Sequence, residues 1–565
     1  MPGCHFFVKP PVSICNFIEI VGVCLGFALA LPAKPGRVSF ARSIAHSFKR
    51  LARREILATI SVGILAAVAS AALSYFVFHP EPFIHDEFSY LLAANTFAHG
   101  RLANPAHPMW EHFETFHVIQ QPSYASKYPP AQGLMLAVGQ VLFGHPVVGV
   151  WISVGLACAA ICWMLQAWLP PHWALGGALL ATSRIVLLGP WVTIGYWSQS
   201  YWGGAVAAFG GALVFGAVPR IVRAIRPQGR HSISMAVGLA ILANSRPFEG
   251  LVAFIPVALL LSRRLPWSKP LTWGRVILPG ALVLLPVAGL MVYYNLRVTG
   301  NPLRMPYQTH ESAYALAPSF VWQDLRPAPD YHHSVMHDFW TGWACEGYLR
   351  QRSLDGLVRE TIFKLTTVWQ FFFGITLTIP LFAIGFAIRE RWTQFAALTC
   401  GLVLAALCLE TGVVPHYAAP ITGLLYVLLI QSVRHLHLWR WNGRPSGRVL
   451  VNWLGVTYVA LIASAIAYAT PANDPAVWFR QRAAILDELK TMPEQHLVIV
   501  RYAPAHNAHA EWVYNAADID GAKVVWARDM GAAKNRELID YFRDRRVWLL
   551  EADVSTPQLV SYRDR

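Results

Sequence analysis

In "FIHDEFSYLL" Asp86 and Glu87 stand side by side directly after a long apolar stretch, and in "SKYPPAQG" Lys127 stands two residues before a double proline. Two carboxylates at the head of an amphipathic run, with Phe88, Leu91, Leu92, Thr96 and Phe97 sharing roughly one helical face, sit where a helix dipole favours acids. Capping a helix that lies on the membrane therefore accounts for them. The rest of the loop weakens that account. Pro129 and Pro130 hold the backbone before them extended, so Lys127 can present a cation at a membrane surface, where a lipid phosphate would sit. Arg246, in "ANSRPFEG", is a second cation in otherwise apolar sequence. At membrane depth its guanidinium needs a ligand or an internal acid to balance it, and Glu249 is the nearest such acid. Metal chemistry is the other use of such groups. The first loop holds His85, His99, His107, His112 and His117, and His112, Glu114 and His117 can meet at one ion if the loop orders them. No zinc-type spacing is satisfied, and a divalent cation at Asp86 and Glu87 is the one cofactor left open.

The elements that must position these groups are membrane helices. The chain has 565 residues, 55% of them hydrophobic and 14% charged, with a mean hydropathy of +0.40, too apolar for a soluble protein. Against the roughly 20 residues needed to cross a bilayer, helices are expected near 56–78, 147–168, 172–190, 201–219, 275–296, 365–388, 393–410, 418–433 and 449–470. A hairpin over 233–262 is broken by Asn244, Ser245, Arg246 and Pro247, and such a break survives only inside protein or beside a wet cavity. Counting both halves of the hairpin gives about eleven crossings. Basic residues cluster before the first helix, around Arg220 to Arg230, around Arg263 to Arg275, at Arg389 and Arg391, and around Arg434 to Arg448. All five clusters fit one topology with those loops inside. The net charge of +15 then reports orientation, and no nucleic-acid partner is expected.

That topology leaves 79–146, 190–200, 297–364, 411–417 and 471–565 on the far side. The 131–143 stretch is too short to span and is expected to be re-entrant or interfacial. "ICNFIEIVGVCLGFALALPA" reads as an extra helix, a signal-like segment or an upstream-start artefact. Of eight cysteines only Cys345 lies outside, so no disulfide framework is expected. Beyond Thr470, "HLVIVRYAP", "AKVVWARD" and "RVWLLEAD" read as short strands and "NRELIDYFRDR" as a helix, a small α/β domain without a phosphate loop or nucleophile motif. His506, His509, Glu511 and Trp512 there form a candidate polar patch, with a structural lid as the plainer reading. In "GPWVTIGYWSQSYWGG", Trp191, Tyr196, Trp197, Tyr201 and Trp202 suit either sugar stacking or an interfacial aromatic belt.

An acidic pair just after the first membrane helix, a long first external loop ending in a (K/Y)PP-type motif, a re-entrant helix, many crossings and an external C-terminal domain together resemble the GT-C glycosyltransferases. Within them the order of features is most similar to the family 39/83-like branch of protein O-mannosyltransferases and the lipid A aminoarabinose transferase. The resemblance covers most of 56–470. It implies an α-helical polytopic membrane protein with a small external α/β domain, divided as 1–54, 55–470 and 471–565. It also implies a polyprenyl-phosphate sugar donor, a lipid, glycan or protein acceptor, and a reaction at the periplasmic face of a bacterial inner membrane.

Carried onto this sequence, Asp86 is the general base or orients it, and Glu87 tunes Asp86 or binds acceptor or a cation. Lys127, Arg246, His416 and Tyr417 are expected at the donor phosphate. Tyr128, Tyr196, Trp197, Tyr307, His310 and Glu311 are expected along the substrates. An inverting displacement needs a carboxylate on the acceptor side and positive charge on the departing phosphate. One departure stands out: relatives often carry a second acid in the external loop near 190–200, and this chain has none there. A transporter or flippase of lipid-linked saccharides is the alternative, weakened by the lack of internal repeats.

Overall fold

The computed structural model describes residues 12–31, 39–188, 195–467 and 477–562. The expected leader and the start of the C-terminal tail fall partly outside these residues, as does Trp191. Among the described residues, Glu55–Phe78, Val147–Trp168, Gly204–Val222, Pro270–Thr299, Arg391–Cys408, Pro415–Leu438 and Ser446–Ala467 are long and apolar enough to cross a membrane. Leu354–Phe372 and Gly374–Leu381 form an eighth candidate, bent by 94°. The chain is thus a polytopic, mostly helical membrane protein. The three other expected crossings fall on shorter or more polar helices: Pro171–Leu187 has 17 residues, Gly229–Ala243 has 15, and Pro247–Arg264 has 18 with charge at both ends. At about 1.5 Å per residue the 15-residue helix falls short of a hydrocarbon core of roughly 30 Å.

Small residues let these helices close on one another. A Cβ on Gly238 would stand 2.5 Å from the Gly210 carbonyl oxygen, and one on Gly149 would stand 2.1 Å from that of Met135. The second contact fixes the Pro130–Phe143 helix against Val147–Trp168, and so places the Lys-Tyr-Pro-Pro segment that leads into it. Ile56, Ile64, Leu282 and Leu285 remain exposed on outward faces, as lipid-facing side chains must.

The 79–146 loop folds into the His85–Ala98 helix and a small antiparallel sheet in which Ser123–Ser126 lies between Asn104–Pro105 and Val118–Ile119. The amphipathic face expected to lie on lipid instead meets protein. Phe88 and Leu92 join one apolar core with Trp478, Trp512 and Val513, and the Phe88 ring stacks on Tyr514 at 4.1 Å. The C-terminal domain supplies that partner. Its sheet runs Val524–Arg528, His496–Arg501, Arg546–Glu551, Leu559–Ser561, the first three strands parallel and the last antiparallel. Polar contacts seat it on the loop: the Ala517 amide donates to Asn95 Oδ1 at 2.9 Å, the Tyr124 hydroxyl to the Asn515 carbonyl at 3.0 Å, and Arg528 Nε to the Glu114 carbonyl at 2.7 Å.

Candidate active site

Asp86 sits in the first turn of the His85–Ala98 helix with its side chain 28% exposed. The Tyr128 hydroxyl donates to its Oδ1, and His117 Nε2 lies 3.9 Å from its Oδ2. His117 adopts a left-handed φ of 61°, costly for a non-glycine residue. Its carbonyl is fixed by the Ser89 hydroxyl at 2.6 Å and the Lys127 amide at 3.3 Å, which together hold the imidazole toward Asp86. Burial, then Lys127 and the neighbouring histidines, push the His117 pKa well below its ordinary value. Lys127 Nζ stands 5.1 Å from the Tyr128 ring centroid. Burial lowers its pKa, Asp86 and Glu311 pull it up, and Arg246 pushes it down again.

The loop is tied to the broken hairpin by backbone. The Ala131 amide, just past the double proline, donates to the Asn244 carbonyl at 2.9 Å. Arg246 caps the next helix with its side chain 15% exposed. Its Nη1 is 3.5 Å from Glu249 Oε1, and its guanidinium lies 4.1 Å from the Tyr417 ring centroid. Tyr90 stacks on Tyr128 at 4.4 Å, beside the hydroxyl that bonds Asp86. His416 is buried, its Nδ1 3.2 Å from the Tyr196 hydroxyl and its ring 5.0 Å from Trp202. Asp86, Lys127, Tyr128, Arg246, Tyr196, His416 and Tyr417 thus face one region where the helices meet the loops.

The Pro306–Tyr314 helix closes the other side. His310 is buried 5.9 Å from the His117 ring, and both its ring nitrogens lack a hydrogen-bond partner among the described residues, as do His117 Nδ1 and His85 Nε2. Glu311 pairs with Arg326 at 2.7 Å and accepts from the Ser319 hydroxyl at 3.0 Å. Tyr307 is half-buried within the fields of Glu311 and Glu249.

Two expected site residues point elsewhere. Glu87 is 0% exposed and turns inward, its two oxygens accepting from the Phe83 and Tyr201 amides at 2.9 Å each. Burial pushes its pKa up to about 8. Trp197 is 0% exposed and packs against Phe371 at 4.8 Å, which leaves no ring face for a sugar. His112, Glu114 and His117 do not converge either. His112 Nδ1 is 3.1 Å from the Arg528 carbonyl oxygen, and Glu114 accepts from the Tyr314 hydroxyl at 2.9 Å with its other oxygen 2.8 Å from His332 Nδ1. Among the described residues no three His, Cys, Asp or Glu side chains are placed to hold a metal ion. Glu87 turns inward, away from the exposed side of Asp86, so these two carboxylates do not face one point.

Of the C-terminal patch, Glu511 and Trp512 are buried inside the domain, with Glu511 paired to Arg528, and His506 bonds Asp553. Only His509 reaches the site, stacking on His85 at 5.5 Å. Tyr90 is a site neighbour that sequence reasoning passed over, although it lies one helical turn beyond Asp86. Glu410 is another, in "CLETGVVPHY". Burial, then Glu249, raises its pKa to about 9 against the pull of Arg246 and Lys364. Its Oε1 is buried without a partner among the described residues.

No protein-family model matches this chain, and no curated protein matches it in sequence. Among solved structures, ArnT from Cupriavidus metallidurans in the apo state is similar at a TM-score of 0.50 and 12% identity, over 86% of this chain and 92% of ArnT. The same protein bound to undecaprenyl phosphate gives 0.50 and 12%, over 87% and 92%. The Archaeoglobus fulgidus oligosaccharyltransferase tethered to an acceptor peptide gives 0.45 and 12%, over 87% and 69%. The likeness to ArnT is one of fold alone.

Proposed function

We propose that this chain is a membrane glycosyltransferase that moves a sugar from a polyprenyl-phosphate carrier to an acceptor hydroxyl or phosphate at the external face of a bacterial inner membrane. The observation that carries the reading is one partly exposed carboxylate, Asp86, bonded by the Tyr128 hydroxyl and electrostatically coupled to Lys127, which in turn feels Arg246, each cation being set by a break in regular structure. The shared fold with ArnT, whose structure has been obtained with undecaprenyl phosphate, supports the donor class.

In this mechanism an acceptor oxygen attacks the anomeric carbon while the bond from that carbon to the phosphate oxygen breaks. Asp86 takes the acceptor proton, with Tyr128 and His117 orienting the carboxylate. The leaving phosphate carries off the bonding pair, and its charge is met by Lys127 and Arg246, with Tyr417 and His416 beside them. Attack opposite the leaving group inverts the anomeric centre. Glu87 holds the helix start to the 195–201 loop, and Tyr196, Tyr307, His310 and Glu311 border the space the substrates would fill.

Purified protein incubated with a panel of polyprenyl-phosphate sugars, together with a cell-envelope extract as the source of acceptor, tests this reading. Free polyprenyl phosphate is expected to accumulate whichever sugar is the true one, because the bond to phosphate breaks in every case. An intact carrier lipid moved across vesicles would instead favour a flippase.

A further inference from the structure

At the far end of the Glu55–Phe78 helix from Asp86 lies a cavity of about 570 Å³, with Glu55, Ile56, Trp163, Arg220, Arg226 and Arg230 in its wall. The 24-residue helix between the two sites puts them roughly 36 Å apart at about 1.5 Å per residue. The cavity therefore belongs to the opposite membrane face, the face marked by basic loops.

Its wall is built for an anion. Arg220 is fixed: its Nη1 donates to the Gly216 carbonyl at 2.7 Å, its Nη2 to that of Trp163 at 2.9 Å, and its guanidinium stacks 4.1 Å from the Trp163 ring centroid. Arg226 and Arg230 are exposed, and neither side chain is in an ion pair among the described residues. Glu55 is the one acid in the wall, set against three arginines. The Gly229–Ala243 helix begins here with no side-chain hydrogen bond from its N-cap Gln228, so the positive end of its dipole adds to the field.

The same wall is built for an acyl chain. Ile56 and Ile60 line the cavity and are exposed on the outward face of the Glu55–Phe78 helix, so the cavity opens sideways toward lipid. Ile225, between Arg223 and Arg226, is 98% exposed, an apolar side chain at the depth where headgroups meet chains.

We propose that this cavity binds the phosphate headgroup of an anionic phospholipid from the leaflet opposite Asp86, with Arg226 and Arg230 on the phosphate and the chains along Ile56 and Ile60. The assignment stands apart from the transferase reading.

The test uses the full-length protein in lipid nanodiscs of phosphatidylcholine, with and without phosphatidylglycerol. Lipid retained through detergent exchange is then measured by native mass spectrometry. The wild-type chain is expected to retain phosphatidylglycerol over phosphatidylcholine, and Arg226→Ala/Arg230→Ala to lose that retention by about tenfold. Arg263→Ala/Arg264→Ala, basic residues on the same face but outside the cavity wall, is expected to keep it. Arg226→Gln/Arg230→Gln repeats the test with less change in side-chain size, should the alanine pair fail to fold. No preference in the wild type, retention undiminished in the cavity variants, or equal loss in the control pair would each overturn the proposal. Inorganic phosphate titrated against the retained lipid is expected to leave it bound. Displacement by phosphate alone would overturn the lipid assignment in favour of a soluble phosphate ligand.

Discussion

The Tyr128 hydroxyl donates to Oδ1 of Asp86 across the 79–146 loop, and the Tyr128 ring is itself stacked on Tyr90 from the helix whose first turn holds Asp86. The carboxylate is therefore aimed by the residue that separates Lys127 from the double proline, and acid and cation are positioned by one short segment. If Asp86 is the base, Asp86→Asn keeps an oxygen for Tyr128 and an acceptable helix start while removing the proton acceptor. Release of polyprenyl phosphate is expected to fall about 100-fold or more with donor binding and thermal midpoint preserved. Near-normal release would return Asp86 to a capping role.

Lys127 and Arg246 are expected to fail differently when removed. Lys127→Ala leaves no buried acid unpaired, so it is expected to weaken donor binding about 10- to 100-fold, the worth of a charge-assisted contact of roughly 1.5–3 kcal/mol, while the thermal midpoint holds. Arg246→Ala strips the partner from the buried Glu249. It is expected to lower the midpoint as well, since breaking a buried pair costs about 3–5 kcal/mol. Titration with a donor analogue alongside thermal unfolding separates the two. Unchanged donor affinity in a folded Lys127→Ala protein would leave the phosphate to Arg246.

Much of this candidate site could be proposed from sequence because its residues sit at interruptions of pattern. Asp86 follows an apolar run, Lys127 precedes Pro129 and Pro130, and Arg246 breaks a hairpin, and each break is visible in one dimension. What stayed hidden depends on which way a side chain turns. Asp86 and Glu87 are adjacent on a helix and so point about 100° apart. Only the fold shows that the loop at Tyr201 lies under Glu87. Trp197 and Tyr196 both lie in the helical core beside Phe371, and only the Tyr196 hydroxyl reaches His416. The apolar face of the His85–Ala98 helix read as membrane-seeking because periodicity records a buried face and not what buries it. Here a domain from beyond residue 477 does so.

Orientation is tested by a reporter fused after Arg565, which is expected to report the external side. The basic clusters predict the loop of Asp86 on that side, and the C-terminal domain packs on the same loop. A cytoplasmic signal would place Asp86 inside and remove the external reaction.

Glu87 gives the fold a pH dependence of its own. Its carboxyl is raised from the ordinary 4.5 to about 8 by burial, so between these values the folded chain keeps a proton that the unfolded chain has lost. Its contribution to stability is therefore complete below the window and lost as pH rises through it. The thermal midpoint is expected to decline from pH 5 toward pH 8 by this term, and Glu87→Gln, which does not titrate, to flatten that slope. Gln also loses one of two acceptors for the Phe83 and Tyr201 amides, so its midpoint at pH 5 is expected below wild type by about 1–3 kcal/mol of stability. A slope unchanged in Glu87→Gln would assign the pH dependence to another group.

Tyr196 and Trp197 are neighbours whose removal is expected to register in different measurements. Trp197 is fully buried against Phe371 and Phe372, so Trp197→Ala opens a cavity in the helical core and is expected to cost about 3–5 kcal/mol. The protein that still folds is expected to show an unchanged KM for donor. Tyr196→Phe keeps the ring against Trp202, 4.8 Å away, and removes only the hydroxyl that meets His416 Nδ1. Its midpoint is expected to stay close to wild type while KM for donor rises several-fold, the share of one hydrogen bond of about 1 kcal/mol in orienting His416. A rise in KM with Trp197→Ala and none with Tyr196→Phe would reverse the two assignments and restore Trp197 to the substrate side.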